Sequence, residues 1–263
     1  MSDGILFATP CYGGMVTAQH FRSCMNLKED LTKIGLPHDW LIGWNESLVH
    51  RGRMEMVASF LKTEFSHLMW LDADIEFTPD DVAKVWNLDA DIGVGVYAMK
   101  KRNESWYAAW KDGQLVKDLD QFDGPTSVDY AGTGFMLVKR SAVLRVHDYV
   151  TKLFERVKNV TQALPPEIRA IINERFAPSY MGPHGRVPAI FMTPVHNDGL
   201  ESEDYHFSRM AREAGLKITM DPTVRLKHWG QYAYGDEASH DGKPPVHVPA
   251  ADRTGREPAT CNR

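Results

Sequence analysis

Asp72 and Asp74 stand two residues apart in the stretch HLMWLDADIEF, from His67 to Phe77. Two carboxylates at close range repel, and each costs free energy to desolvate. A divalent cation would offset that cost. Hard oxygen donors favour Mg2+ or Mn2+, ions that keep some waters and share their coordination with substrate phosphates. At an extended strand end, residues i and i+2 share one face, so both side chains are expected to reach one ion. A solvated acidic turn is the alternative for an Asp-x-Asp pair taken alone. The apolar run before it favours a ligand site, because open α/β sheets bind ligands at the carboxyl ends of their strands.

The elements that must position this pair can be read on either side of it. Gly4–Ala8 is a short apolar run closed by Pro10 and Gly13-Gly14, which predicts a buried strand and a loop. Phe21, Met25, Leu27, Leu31 and Ile34 recur at helical spacing, with Gly35 placed to cap. Asp39–Trp44 predicts a second strand, Leu48–Lys62 a helix, and His67–Leu71 the third strand, ending at the Asp pair. Thr78-Pro79-Asp80-Asp81 is a helix start. Asp91–Met99 is a further strand, Lys111–Gln114 a hairpin turn, and Phe135–Val146 a strand running into a helix. The segment 155–176 reads as helix broken near Pro165-Pro166, and 177–199, rich in Pro and Gly, as a long loop or lid. Ser202 opens a helix capped at Gly215, and a strand follows. Alternating strands and helices predict an α/β fold, an open and mainly parallel sheet with helices on both faces.

The bulk composition narrows the class. A chain of 263 residues can bury a substantial core, and its net charge of −5 supplies no global basic field for nucleic acid. Three irregularly spaced cysteines suggest neither a disulfide framework nor a zinc cluster. No window has the apolar length of a membrane span, and the start lacks the pattern of a signal peptide, so a cytoplasmic setting is expected.

Taken in order, ATPCYGG, NESLVHRGRMEMVASFL, the strand ending in Asp-Ala-Asp, AGTGFMLVKR, ESEDYHFSRMAREAG and LKHWG resemble the metal-dependent GT-A glycosyltransferases. The likeness is to family 2-like members of viral or bacteriophage type, and covers about residues 4–230. It implies one catalytic domain over 1–235, with a donor-binding half over about 1–100 and an acceptor half over about 101–235. A polar, Pro-rich tail would follow over 236–263. It further implies that Thr9, Pro10 and Tyr12 flank the base and ribose, and that Glu46, Arg51 and Arg53 contact the nucleotide or diphosphate. Asp74 would bind Mn2+ or Mg2+ directly. Asp72 would touch the ribose or a metal-bound water, and His228 would complete the metal site. Gly132 and Gly134 would let backbone approach the donor sugar. Asp204, with Glu203 beside it, would be the general base. Each has a structural alternative: the arginines as a solvated helix face, His228 as a hydrogen-bonding residue, and the acidic pair as ordinary helix-start charge.

The implied reaction moves a sugar from a nucleotide-sugar donor, a UDP-sugar first among them, to an acceptor hydroxyl with inversion; retention stays open. A glycan, lipid or protein hydroxyl is the default acceptor, and a hydroxymethylated base of phage DNA is the second. The run Lys100–Arg102 beside Trp106 and Trp110 would suit nucleic acid. Trp106, Tyr107 and Trp110 suit either a stacking platform or the core. Two rivals share paired aspartates: a metal-dependent phosphohydrolase or nucleotidyltransferase, and an inactive sugar-nucleotide-binding module.

Overall fold

The apolar run Ile5–Ala8 is buried on both faces, and only a strand inside a sheet can bury two faces at once. It lies in β1 (Ser2–Pro10), between β2 (His38–Gly43) and β3 (Phe65–Leu71), both parallel to it. This computed structural model describes residues 2–44, 46–100, 106–175, 179–182, 185–196, 199–230 and 233–234. The expected tail over 236–263 lies outside the described residues, as do Lys101 and Arg102.

The chain order continues with α1 (Ala18–Ile34) before β2, α2 (Val49–Leu61) before β3, then β4 (Ile75–Glu76), α3 (Pro79–Asn87) and β5 (Ile92–Val94). Short strands follow: β6 (Ala109–Lys111), β7 (Gln114–Leu115), β8 (Thr126–Val128) and β9 (Tyr130–Ala131). Next come β10 (Phe135–Lys139), α4 (Arg140–Thr161), α5 (Pro166–Arg175), β11 (Ser179–Gly182), β12 (Gly185–Pro188), β13 (Val195–His196) and β14 (Gly199–Leu200). The described residues close with α6 (Glu203–Glu213), β15 (Ile218–Met220), β16 (Lys227–Trp229) and β17 (Ala233–Tyr234).

The central sheet has the order β2-β1-β3-β10-β5-β15-β8. Strands β2, β1, β3, β5 and β15 point one way and β10 and β8 the other, so the α/β sheet is mainly parallel. Strand β10 enters between β3 and β5, pairing Phe135 with Leu71 and Met136 with Val94. The sheet therefore draws on both sides of residue 100. Apolar layers lie on both faces, one built on Trp70, Met136, Phe191 and Phe207, the other on Phe7, Met69, Phe77 and Phe135.

Local chemistry sets the helix ends. Thr17 caps α1 by accepting the His20 N–H at 3.2 Å, and Gly35 ends it at φ 70°. Thr78 and Asp81 form a reciprocal capping box on α3, with Pro79 in its first turn. The expected turn after Lys111 is a tight hairpin with Asp112 at φ 51° and Gly113 at φ 72°.

Two expectations are corrected. The buried face of α1 is His20, Ser23, Leu27 and Leu31, while Phe21, Met25 and Ile34 are exposed. Polar residues turn inward there because they satisfy backbone: His20 Nδ1 donates to the Ile75 carbonyl at 3.1 Å, and Ser23 Oγ accepts the Phe77 N–H at 3.1 Å. In its described residues the Pro/Gly-rich segment 177–199 is not an open loop. It forms the hairpins β11–β12 and β13–β14, and Ala189, Ile190 and Phe191 are buried. Phe191 stacks on Phe207 with centroids 4.6 Å apart and meets Trp70 edge-on at 5.4 Å. Pro and Gly punctuate this segment, but its apolar centre is core.

Among the described residues no helix is long and apolar enough to cross a membrane.

Candidate functional site

Strands β1, β2 and β3 end at one edge of the sheet, with Pro10 in register with Gly43. A cavity of about 630 Å³ opens at that edge. Pro10, Tyr12, Glu46, Arg53, Asp72, Asp74, Glu203 and His228 lie on its wall, so the structure brings together residues from five separate parts of the chain. Thr9, Arg51, Asp204, Gly132 and Gly134 do not line it.

Strand β3 stops at Leu71, and residues 72–75 form a turn in which the Ile75 N–H donates to the Asp72 carbonyl at 3.1 Å. The premise of an extended strand end is thus corrected, and the two carboxylates go to different partners. Asp72 Oδ1 accepts from Arg53 Nη2 at 2.8 Å, and the Asp72 N–H donates to the Gly134 carbonyl at 2.9 Å. Asp74 Oδ2 accepts from Lys100 Nζ, and Asp74 Oδ1 lies 3.5 Å from His228 Nε2. Burial raises the Asp74 pKa, but hydrogen bonds and charge from His228 and Lys100 outweigh it and bring it to about 2. Among the described residues no group of three His, Cys, Asp or Glu side chains converges as a metal cluster.

The turn is held from both sides. Thr17 donates its N–H to the Ala73 carbonyl at 2.9 Å and its hydroxyl to the same oxygen at 3.3 Å, which ties the start of α1 to the acidic turn. Strand β4 pairs antiparallel with β16, setting His228 opposite Ile75, and the Trp229 N–H donates to the Asp74 carbonyl at 2.8 Å. His228 Nδ1 faces the Ala98 carbonyl at 2.9 Å. A carbonyl only accepts, so Nδ1 carries a proton and donates to it, and Nε2 is the ring nitrogen turned towards Asp74.

Arg53, on α2, is 3 % exposed and packs 5.2 Å from the Trp70 ring centroid. Besides its bond to Asp72, its Nε lies 3.6 Å from Glu203 Oε1. Desolvation lowers the Arg53 pKa, but the Asp72 and Glu203 carboxylates outweigh it and raise it overall. Nε and Nη1 are buried without a hydrogen-bond partner, so a buried cation faces the cavity with donor capacity in hand.

The acidic pair at the start of α6 divides its roles. Asp204 Oδ1 accepts from the Ser202 hydroxyl and from the Tyr205 N–H at 2.9 Å, as a local cap. Glu203 points into the cavity, and burial raises its pKa against the lowering pull of Arg53. Arg51 forks onto Glu46 Oε1 at 2.6 and 3.1 Å, which lowers the Glu46 pKa. Thr9 is buried in β1.

Packing accounts for the two glycines. A Cβ on Gly134 would sit 2.7 Å from Asp72 Oδ2 and 2.8 Å from the Tyr97 ring, and one on Gly132 would collide with the Tyr97 hydroxyl. Tyr97 also accepts the Gly134 N–H at 3.2 Å. Sequence reasoning did not single out Tyr97 or Thr17 as site residues, and it considered Lys100 only as part of a basic run. Lys100 and Tyr97 carry one usable signal: both follow β5, whose carboxyl end reaches the same sheet edge.

No family model matches the chain, and no curated protein does. Several solved structures are similar. A197 from STIV is 16% identical, with 86% of each chain covered and a TM-score of 0.49. A glycosyltransferase involved in the glycosylation of the major capsid of PBCV-1 is 12% identical, with 62% of this chain and 69% of that one covered and a TM-score of 0.31. GalNAc-T7, solved with UDP, GalNAc and Mn2+, is 10% identical at a TM-score of 0.42; the match covers 94% of this chain and 46% of that one. The α/β assignment rests on the strand order above and not on these likenesses.

Proposed function

We propose that this protein is a glycosyltransferase of the GT-A kind its motifs resemble, moving a sugar from a nucleotide-sugar donor, a UDP-sugar, to an acceptor hydroxyl. One observation carries the reading. Asp74 and Nε2 of His228 face each other 3.5 Å apart at the carboxyl edge of the sheet, in a cavity that also presents the buried cation Arg53.

The donor set fits a divalent ion. An oxygen and an imidazole nitrogen 3.5 Å apart can share one cation, and an oxygen-rich ion such as Mn2+ or Mg2+ draws its remaining ligands from water and phosphate. Asp74 and His228 would hold it, with Asp72 at the rim. When bound, such an ion supplies neutralisation of the charge that builds on the donor diphosphate.

The chain's own residues do the rest. Tyr12 and Pro10 stand at the mouth of the cavity where a base and ribose would lie, with Glu46 on the wall beside them. Arg53, on the cavity wall, would set a fixed positive charge beside the donor diphosphate. Lys100, on the far oxygen of Asp74, adds positive charge where the leaving group departs. Glu203 takes the proton of the acceptor hydroxyl. The oxygen then attacks the anomeric carbon from the face opposite the diphosphate, the bond from that carbon to the phosphate oxygen breaks with its electron pair, and nucleoside diphosphate leaves. Back-side attack inverts the anomeric centre.

The test is nucleoside diphosphate release from a panel of nucleotide sugars, with Mn2+, Mg2+ or chelator, for the wild type and Asp74→Ala. Metal-dependent release from one donor, lost in the variant, is expected. Release of sugar 1-phosphate instead would mean cleavage within the diphosphate, by nucleotidyl transfer or phosphohydrolysis, and would overturn the reading.

A further inference from the structure

A second cavity, of about 330 Å³, lies on the other side of the start of α6. Its wall carries Trp110, Tyr130, Tyr205, His196, Leu200 and Glu201. We propose that this cavity binds a neutral sugar ring of the acceptor, so that the acceptor is a glycan. The inference rests on the transferase reading and deepens it.

Three aromatic side chains converge there in a fixed geometry. Trp110 Nε1 donates to the Tyr205 hydroxyl at 2.9 Å, and the Tyr130 and Tyr205 rings meet edge to face with centroids 5.5 Å apart. All three are only partly buried, so aromatic surface stays open to the cavity. A core cluster would close that surface; a platform leaves it open. Aromatic rings take the C–H face of a sugar, and their polar edges take its hydroxyls. The Tyr205 oxygen accepts from Trp110, so its own proton remains to donate to a ligand.

The charges argue for a neutral ligand. Among the described residues lining the cavity there is no lysine or arginine. The nearby cations are engaged: Arg209 holds Glu201 at 2.7 Å, and Arg212 pairs with Asp129 at 3.2 Å while lying over Tyr130. Among the described lining residues Glu201 is the one acid, and it is met by Arg209, His196 and His206. Among the described residues a phosphodiester backbone would find aromatic faces here but no free cation, whereas nucleic-acid grooves combine both. The size is at the lower end of small-ligand pockets, about 300–1,000 Å³.

Position ties this cavity to the reaction. Glu201 and Tyr205 face it, while Glu203, between them in sequence, faces the first cavity. A sugar seated on Tyr205 would stand two residues along α6 from the proposed proton acceptor.

The test uses the full chain without donor. Neutral disaccharides (lactose, cellobiose, maltose, chitobiose, xylobiose and mannobiose) are screened by saturation-transfer NMR and calorimetry against duplex DNA and an unglycosylated peptide. At least one disaccharide is expected to bind, and Trp110→Ala to weaken it about tenfold while donor binding stays unchanged. Tyr205→Phe keeps the stack and loses the hydroxyl, and should weaken binding less; it serves if Trp110→Ala fails to fold. Binding of DNA or peptide alone, binding of no disaccharide, or affinity indifferent to both variants would overturn the proposal. Failure of the transferase reading would register separately, as absent donor binding in a protein that still binds the sugar.

Discussion

Arg53 donates to Asp72 at 2.8 Å from a position that is 3 % exposed, so a buried cation fixes the first carboxylate of the acidic turn. The same guanidinium faces Glu203 at 3.6 Å. Removing one member of such a group leaves the others as uncompensated charge, which costs about 3–5 kcal/mol. Arg53→Met is expected to lose stability on that scale in chemical denaturation. Adding Glu203→Gln should recover part of the loss, because one stranded carboxylate becomes neutral.

Asp74 and His228 act as one pair in the proposed site. Asp74→Asn and His228→Ala should each abolish metal-dependent nucleoside diphosphate release, and the double variant should be no worse than either. Lys100 lies on the other oxygen of Asp74 and competes for its charge. Lys100→Met should lower the half-saturating metal concentration about threefold, the scale of a partly exposed ion pair, and should also lower kcat. Metal titration of the three variants checks this; unchanged half-saturation in Lys100→Met would remove the competition argument.

Glu203→Gln should reduce kcat by about 10²–10⁴-fold, the usual contribution of a positioned base, with donor affinity kept. Asp204→Asn should act on stability instead, because its carboxylate caps the helix start. The active form of Glu203 is the carboxylate, and burial raises its pKa above the ordinary 4.5. Activity should therefore climb with pH through that raised value, and the acid limb of the kcat/KM profile should sit above 4.5. A limb at or below it would point away from Glu203.

Gly134→Ala would press a methyl against Asp72 and Tyr97. Overpacking of this kind costs about 1–3 kcal/mol, and here the displaced group is a site carboxylate. The melting temperature and donor affinity should fall together.

Acid should unfold the protein earlier than its carboxylates alone would suggest. His20, His67, His147 and His206 each have a pKa lowered by burial. Below the ordinary value of 6.5 the unfolded chain takes up protons that the folded chain refuses. Stability is thus present above 6.5 and is lost as pH falls towards the depressed values. Thermal melts should show a drop as the pH falls below the ordinary 6.5; a flat profile there would contradict the buried neutral assignments.

Much of this fold is legible in local pattern. The apolar runs of β1 and β3, the Thr78-Pro79 helix start and the Gly35 cap follow from rules that act within a few residues. What escaped was set by distant partners. Ser23 and His20 turn inward to satisfy the backbone of 75–77, which no helical periodicity encodes. Gly132 and Gly134 look like ligand glycines until Tyr97, more than thirty residues earlier, fills the space above them. The acidic pair was legible as a site, but its division between Arg53 and Lys100 was not, because a turn replaced the extended backbone assumed for it.

Strand β4, which leaves the acidic turn, is completed by β16, and the two are about 150 residues apart. The partner of Asp74 therefore emerges from the ribosome after nearly all of the central sheet has been made. The sheet can be laid down with its cavity edge still open, and the last pairing to form is the one that brings His228 to the turn. Contacts of such long sequence separation are slow to form. Assembly of the proposed metal site would then follow completion of the central sheet, and a chain cut short before β16 that has folded its core would still be unable to bind donor.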